Sequence, residues 1–133
     1  MSRENVDSLR RVFEAFNSGD LARILACIEP DFIGVVSPAF SPEPDTYRGH
    51  EGVRRYFESF QDAMSEICFQ PERVWDAGQA VVVALRLTAK GRRTSIPVEQ
   101  RVAQVWSMRN AKAVSARTYP SVSDALRAAG LEE

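Results

Sequence analysis

One histidine, three carboxylates beside strand-like segments and a mixed polar and aromatic run are the residues of this chain with usable chemistry. His50 is the single histidine, and imidazole is the commonest general base. It sits in Gly49-His50-Glu51-Gly52, ahead of a helical stripe, and reads as a helix-start residue rather than a base. A Ser-His-Asp arrangement would have to use it, yet no serine stands in a Gly-x-Ser-x-Gly turn. Asp31 follows Pro30 where a strand begins, and Asp76 ends a strand before Gly78. Glu99 lies on a long strand in reach of Arg86 or Arg101. These three read as a cap, a turn residue and an ion-pair partner, with no acid–base dyad among them. Cys27 and Cys68 form no Cys-x-x-Cys or Cys/His group, so neither a metal nor a cofactor is expected.

The richest pattern lies between residues 100 and 119. Asn110-Ala111 predicts a two-residue hairpin turn, with Arg109 opposite Lys112. A regular ladder from that turn sets Gln104 opposite Arg117, Trp106 opposite Ser115 and Val102 opposite Tyr119. Opposed residues share a face, so Gln104, Trp106, Arg117 and Tyr119 are expected on one wall. Large aromatics with a few polar groups describe a ligand pocket. They describe a dimer interface equally well. Phe16 and Tyr56, on the apolar stripes of their helices, complete the candidate lining. A slip of one residue would carry Arg117 to the face opposite Gln104.

The elements that must hold these residues follow from periodicity. Helical spacing runs through Val6, Leu9, Phe13 and Phe16, then Leu21, Ile24, Leu25 and Ile28, then Val53, Tyr56, Phe57, Phe60 and Met64. The first helix is expected to stop at Asn17-Ser18-Gly19, and the second, capped by Asp20, to run up to Glu29-Pro30. A short strand over 31–36 and an irregular stretch over 37–49, carrying three prolines, precede the third helix at 52–65. That stretch reads either as a lid or as a plain connector. Strand spacing takes over at 71–76, 80–89, 96–109 and 113–119, followed by a short helix closed by Gly130. A strand as long as 96–109 must bend, and bending curls a sheet. The fold class is α+β, with three helices packed on a strongly curved, mostly antiparallel sheet that forms a cone. Apolar residues on both strand faces predict a homodimer through the sheet.

With 133 residues, 44% of them hydrophobic and 26% charged, the chain reads as one domain over 1–133. The net charge of −1 argues against a nucleic-acid partner. No apolar run approaches transmembrane length, no membrane partner is expected, and the polar N-terminus shows no signal peptide. Both cysteines read as buried thiols of a cytoplasmic protein.

Phe-Asn-Ser-Gly-Asp at 16–20, Tyr-Arg-Gly-His-Glu-Gly-Val-Arg at 47–54 and Val-Ala-Gln-Val-Trp-Ser-Met-Arg at 102–109 carry a resemblance. Together with the order of elements, they make the whole chain similar to the SnoaL-like branch of the nuclear transport factor 2-like superfamily. That resemblance implies a curved sheet packed on helices into a cone, commonly dimeric. It also implies relatives that are ketosteroid isomerases, polyketide cyclases, dehydratases or epoxide hydrolases. The isomerases' helix tyrosine, strand aspartate and protonated strand aspartate correspond here to Val12, to Val36 or Ser37, and to Gln104. Gln cannot titrate, so isomerase chemistry is disfavoured. No Asp-Arg-Asp arrangement of the epoxide-hydrolase kind is visible, and catalytic residues stay unassigned. Gln104 is expected to donate to a carbonyl, with Arg117 beside it; Glu43 or Asp45 is the remaining candidate base. Three functions fit: a binding protein for a small hydrophobic molecule, a cyclase-, isomerase- or dehydratase-type enzyme acting on a hydrophobic carbonyl compound, or a dimeric interaction module.

Overall fold

Helix α1 (Ser2–Ser18) lays Leu9, Val12, Phe13 and Phe16 into the core, one apolar face of an amphipathic helix. Its other contacts are polar and specific. The Asn5 side-chain amide donates to Gly78 O at 3.0 Å and the Ser8 hydroxyl to Ala111 O at 2.6 Å, so the helix grips two hairpin turns. The helix ends as expected: Gly19 takes φ +73°, with Gly19 N donating to Phe16 O and Asp20 N to Ala15 O. The structure is a computed structural model and describes residues 2–36 and 45–131.

The order continues as α2 (Leu21–Ala26), β1 (Ile28–Val36), β2 (Asp45–Arg48), α3 (Gly49–Ala63), β3 (Met64–Asp76), β4 (Ala80–Gly91), β5 (Pro97–Arg109), β6 (Lys112–Tyr119) and α4 (Val122–Ala128). Six strands form one curved, unclosed sheet in the order β2-β1-β6-β5-β4-β3. β1 runs parallel to β6 and the other neighbours are antiparallel. The α+β cone is thus the architecture. No helix among the described residues is long and apolar enough to cross a membrane.

Several boundaries differ from the sequence expectation. α2 stops at Ala26 instead of running to Pro30, because Ala113 N donates to Cys27 O at 2.9 Å and draws the chain into the sheet. Pro30 sits inside β1, where pairing with β6 is irregular between Ile28 and Ile33 and the missing N–H costs no ladder bond. β3 begins at Met64, well before Pro71, and Ile67 and Phe69 alternate inward with exposed Glu66 and Cys68. Pro71 is tolerated because β3 is an edge strand. β2 emerges from the expected irregular stretch and pairs with β1, while residues 37–44, and with them the expected role of that loop, lie outside the described residues. Cys27 is half-buried and Cys68 exposed, against the expectation of two buried thiols.

Two apolar clusters flank the sheet. The larger fills the concave side with helical and strand residues, including Phe57, Phe60, Val81, Val83, Leu85 and Met108. The smaller lies on the convex side, where Ala125 and Leu126 of α4 cover Val82 and Ala103. The homodimer expectation assumed that helices cover only one face; α4 covers part of the second.

Candidate functional site

The Asn110-Ala111 turn forms as expected, with φ of 53° and 61° and Arg109 opposite Lys112. The ladder then departs from regularity. Met108 pairs with Ala113 but Ser107 pairs with Ser115, leaving Val114 as the extra residue of a β-bulge. From there on every β6 partner is shifted by one. Gln104 faces Thr118 rather than Arg117, Trp106 faces Ala116 rather than Ser115, and Tyr119 faces Ala103 rather than Val102.

This shift sorts the expected site residues. Gln104, Trp106, Tyr56 and Phe16 line one cavity of about 90 Å³ on the concave side, joined by Thr118. Arg117 and Tyr119 do not: they share the convex face with Val105 and Ala103, where Arg117 is exposed and Tyr119 packs near α4. The expected pairing of Gln104 with an arginine is replaced by Gln104 with a threonine.

The cavity walls are aromatic. Phe16 stands at their centre, edge-on to Phe69 at 4.9 Å and Phe57 at 5.3 Å, with Tyr56 at 6.0 Å. Phe13 meets Trp106 edge-on at 5.9 Å, and Phe32 approaches it from β1 at 6.1 Å. Tyr47 of β2 is buried against Tyr56 at 5.1 Å, and the Arg55 guanidinium caps its ring at 4.3 Å. Tyr47 is held there by α3, because a Cβ on Gly52 would stand 2.8 Å from the Tyr47 carbonyl carbon. His50 takes the helix-start role expected for it, its Nε2 2.8 Å from Ile28 O and therefore donating.

One polar corner interrupts this lining. The Trp106 indole N–H donates to Gln104 Oε1 at 2.8 Å, and Gln104 Nε2 donates to Thr118 Oγ1 at 3.3 Å. Burial pushes the Tyr56 phenol well above its ordinary value, and Tyr47 adds to the shift, so Tyr56 is a neutral hydroxyl at any ordinary pH. Among the described lining residues no carboxylate, imidazole, amine or guanidinium appears. Asp31 and Glu29 instead bind Arg109 on the surface, and Glu99 binds Arg86 at 2.6 Å, which holds its carboxyl below the usual range.

Sequence reasoning missed Thr118, Phe32, Phe69 and Tyr47. Phe69 had a signal in its alternation with Ile67. Thr118 had none, because the run Ala113-Val114-Ser115-Ala116 contains no large side chain to mark the bulge.

The profile of the SnoaL-like domain matches residues 9–116. Among solved structures, an NTF2-like protein of unknown function from Burkholderia pseudomallei is 22% identical, covering 93% of this chain and 95% of its own, with a TM-score of 0.78. TerC, co-crystallised with polyporic acid, is 18% identical over 96% of this chain and 98% of its own, with a TM-score of 0.79. A candidate SnoaL-like polyketide cyclase from a Jannaschia species is 15% identical over 98% and 94%, with a TM-score of 0.75. At these identities the likeness is one of fold. No curated protein matches the chain. A cone of helices and curved sheet of the NTF2-like kind, built by a sequence whose family match spans α1 to β6, identifies this chain as a member of the SnoaL-like domain family.

Proposed function

We propose that this chain binds a small, uncharged, largely apolar molecule in the cone, with Gln104 as its polar anchor. The observation that carries this reading is the cavity itself: among the described residues, an aromatic lining interrupted on the sheet wall by a hydrogen-bonding corner at Gln104 and Thr118. Its size narrows the ligand. About 90 Å³ is less than the roughly 150 Å³ of an engineered apolar cavity that takes benzene. A compact ring of at most about six heavy atoms is the fitting class, with Tyr56 or Trp106 moving to admit anything of that size or larger. Chemistry of the cyclase, isomerase or dehydratase kind needs a proton acceptor, and the described lining residues offer none near neutral pH. Binding is therefore the better-supported function. The free thiols Cys27 and Cys68 suit a reducing compartment, and the cytoplasm is part of the proposal.

The test is a titration with cyclopentanone and with benzene, followed by backbone amide NMR. Saturable shifts around Gln104, Trp106 and Thr118 are expected. Gln104→Leu should weaken the ketone by about 1–3 kcal/mol, the cost of losing a buried hydrogen bond, and leave benzene unaffected. Failure of both compounds to give saturable shifts overturns the reading.

A further inference from the structure

The polar corner has a polarity, and Trp106 sets it. An amide side chain presents N–H donors at one end and a carbonyl acceptor at the other, and the two ends are nearly alike in shape. Thr118 cannot decide which end points where, because a hydroxyl serves equally as donor or acceptor. The indole can decide. Its N–H is a donor only, so the Gln104 atom 2.8 Å away is the carbonyl oxygen. The Nε2 end is thereby turned to Thr118 Oγ1 at 3.3 Å. That end keeps a second N–H, and the threonine, having accepted, keeps its own hydroxyl proton to donate. Both residues line the cavity.

We infer that Trp106 is a positioning residue that makes this corner a donor, so that the cone selects ligands carrying a hydrogen-bond acceptor such as a ketone or quinone oxygen. Compounds of the same size that bring only a donor are disfavoured. They reach at best a spare lone pair on a hydroxyl and leave the second amide N–H of Gln104 unpaired against an apolar wall. The inference rests on the binding reading above and adds to it the chemical class of the ligand and the residue that sets it.

Three five-membered probes separate the cases: cyclopentanone brings an acceptor, pyrrole a donor, and methylenecyclopentane neither. In the unaltered protein, cyclopentanone should bind at least five-fold more tightly than either of the others. In Trp106→Phe the amide is free to turn over, and the preference of ketone over pyrrole should fall below two-fold. In Thr118→Val one donor is lost but the indole bond that orients the amide is kept, so the preference should weaken yet stay above two-fold. Ratios taken within one variant cancel the change of cavity size. Equal binding of cyclopentanone and pyrrole by the unaltered protein overturns the inference, as does a preference that survives Trp106→Phe. No binding of any probe overturns the binding reading beneath it instead. Should Trp106→Phe fail to fold, hydrogen exchange of the Trp106 indole N–H decides. Slowing by ten-fold or more relative to a free indole is expected, and exchange at the free rate overturns the inference.

Discussion

Ala111 carries backbone strain that a glycine would not. Asn110 and Ala111 both adopt positive φ, 53° and 61°, the conformation of a type I′ turn. Asn tolerates that region through its short polar side chain; Ala does so at a steric cost of about 1–2 kcal/mol. Part of the relief in Ala111→Gly is offset by the freer unfolded chain. A net gain of about 0.5–1 kcal/mol is expected, read as a higher denaturant midpoint at unchanged slope; a lower midpoint would refute the strain. The Ser8 bond survives the change, since it goes to the main-chain oxygen. Tyr56 gives a second prediction at this scale. Its phenol is raised above the ordinary value of 10.0, so the folded state holds the proton more tightly than the unfolded chain does. The stability this supplies is complete below pH 10 and is lost as pH rises beyond it, by up to about 1.4 kcal/mol per pH unit. Thermal midpoints measured from pH 9 to 11.5 should fall for the native sequence and fall less for Tyr56→Phe. Equal slopes in the two would show that Tyr56 titrates normally. Single residues with local signatures were legible in the sequence: the turn at Asn110-Ala111, the stop at Gly19 and the helix-start role of His50 each follow from their neighbours. Asn17 was legible only as part of a helix stop. Its side-chain amide also clamps Phe69, accepting from the main-chain N–H at 2.7 Å and donating to the carbonyl at 2.9 Å. That contact joins residues far apart in sequence, which no local pattern encodes.

At the scale of elements, the register of β5 against β6 decides the composition of the site. Reading outward from the turn placed Arg117 beside Gln104; the bulge at Val114 removes it and supplies Thr118. Because side chains alternate with period two, one extra residue exchanges the whole content of the wall. A bulge leaves no mark in a run of small residues, whereas helix periodicity is redundant over several turns, so the helices were readable and this register was not. The join of β2 to α3 carries a comparable constraint and a prediction. Gly52 lies in the first turn of α3, where replacing glycine by alanine ordinarily gains about 1 kcal/mol of helix propensity. Here the added Cβ would meet the Tyr47 main-chain carbon at 2.8 Å and its Cα at 3.1 Å, neither of which can swing aside. Gly52→Ala is expected to lower stability by about 1–3 kcal/mol, the cost of overpacking, despite the better helix former. It should also disturb the cavity, since Tyr47 is part of its wall. A Gly52→Ala protein that is more stable by calorimetry would mean that α3 and β2 are not held this closely.

For the whole molecule, the balance of exposed and covered surface bears on assembly. A monomer of 14.9 kDa is expected to expose roughly 7,000 Å² by the usual size scaling. The chain exposes 7270 Å², close to that value, and its two apolar clusters are enclosed within one copy. The convex face is nonetheless only partly covered by α4. Arg117 is exposed there beside half-buried Val105 and Tyr119, and Ile33, aligned with Ser115, is 39% exposed. Farther along the same face, Arg86, Glu99, Arg101 and Glu72 form an exposed chain of ion pairs. Arginine and aromatic residues over small apolar ones make up the composition of a protein interface. We propose a homodimer joined through this face, held by fewer apolar contacts than an uncovered sheet would provide and so reversible. Multi-angle light scattering should give close to twice 14.9 kDa at tens of micromolar, shifting toward one copy on dilution. Arg117→Glu, a change at an exposed position, should move that equilibrium toward the monomer while leaving the thermal midpoint of the dilute protein unchanged. A mass of one copy throughout the micromolar range would refute the assembly. It would leave the cavity untouched, because Gln104, Trp106 and Thr118 lie on the opposite face of the sheet from Arg117.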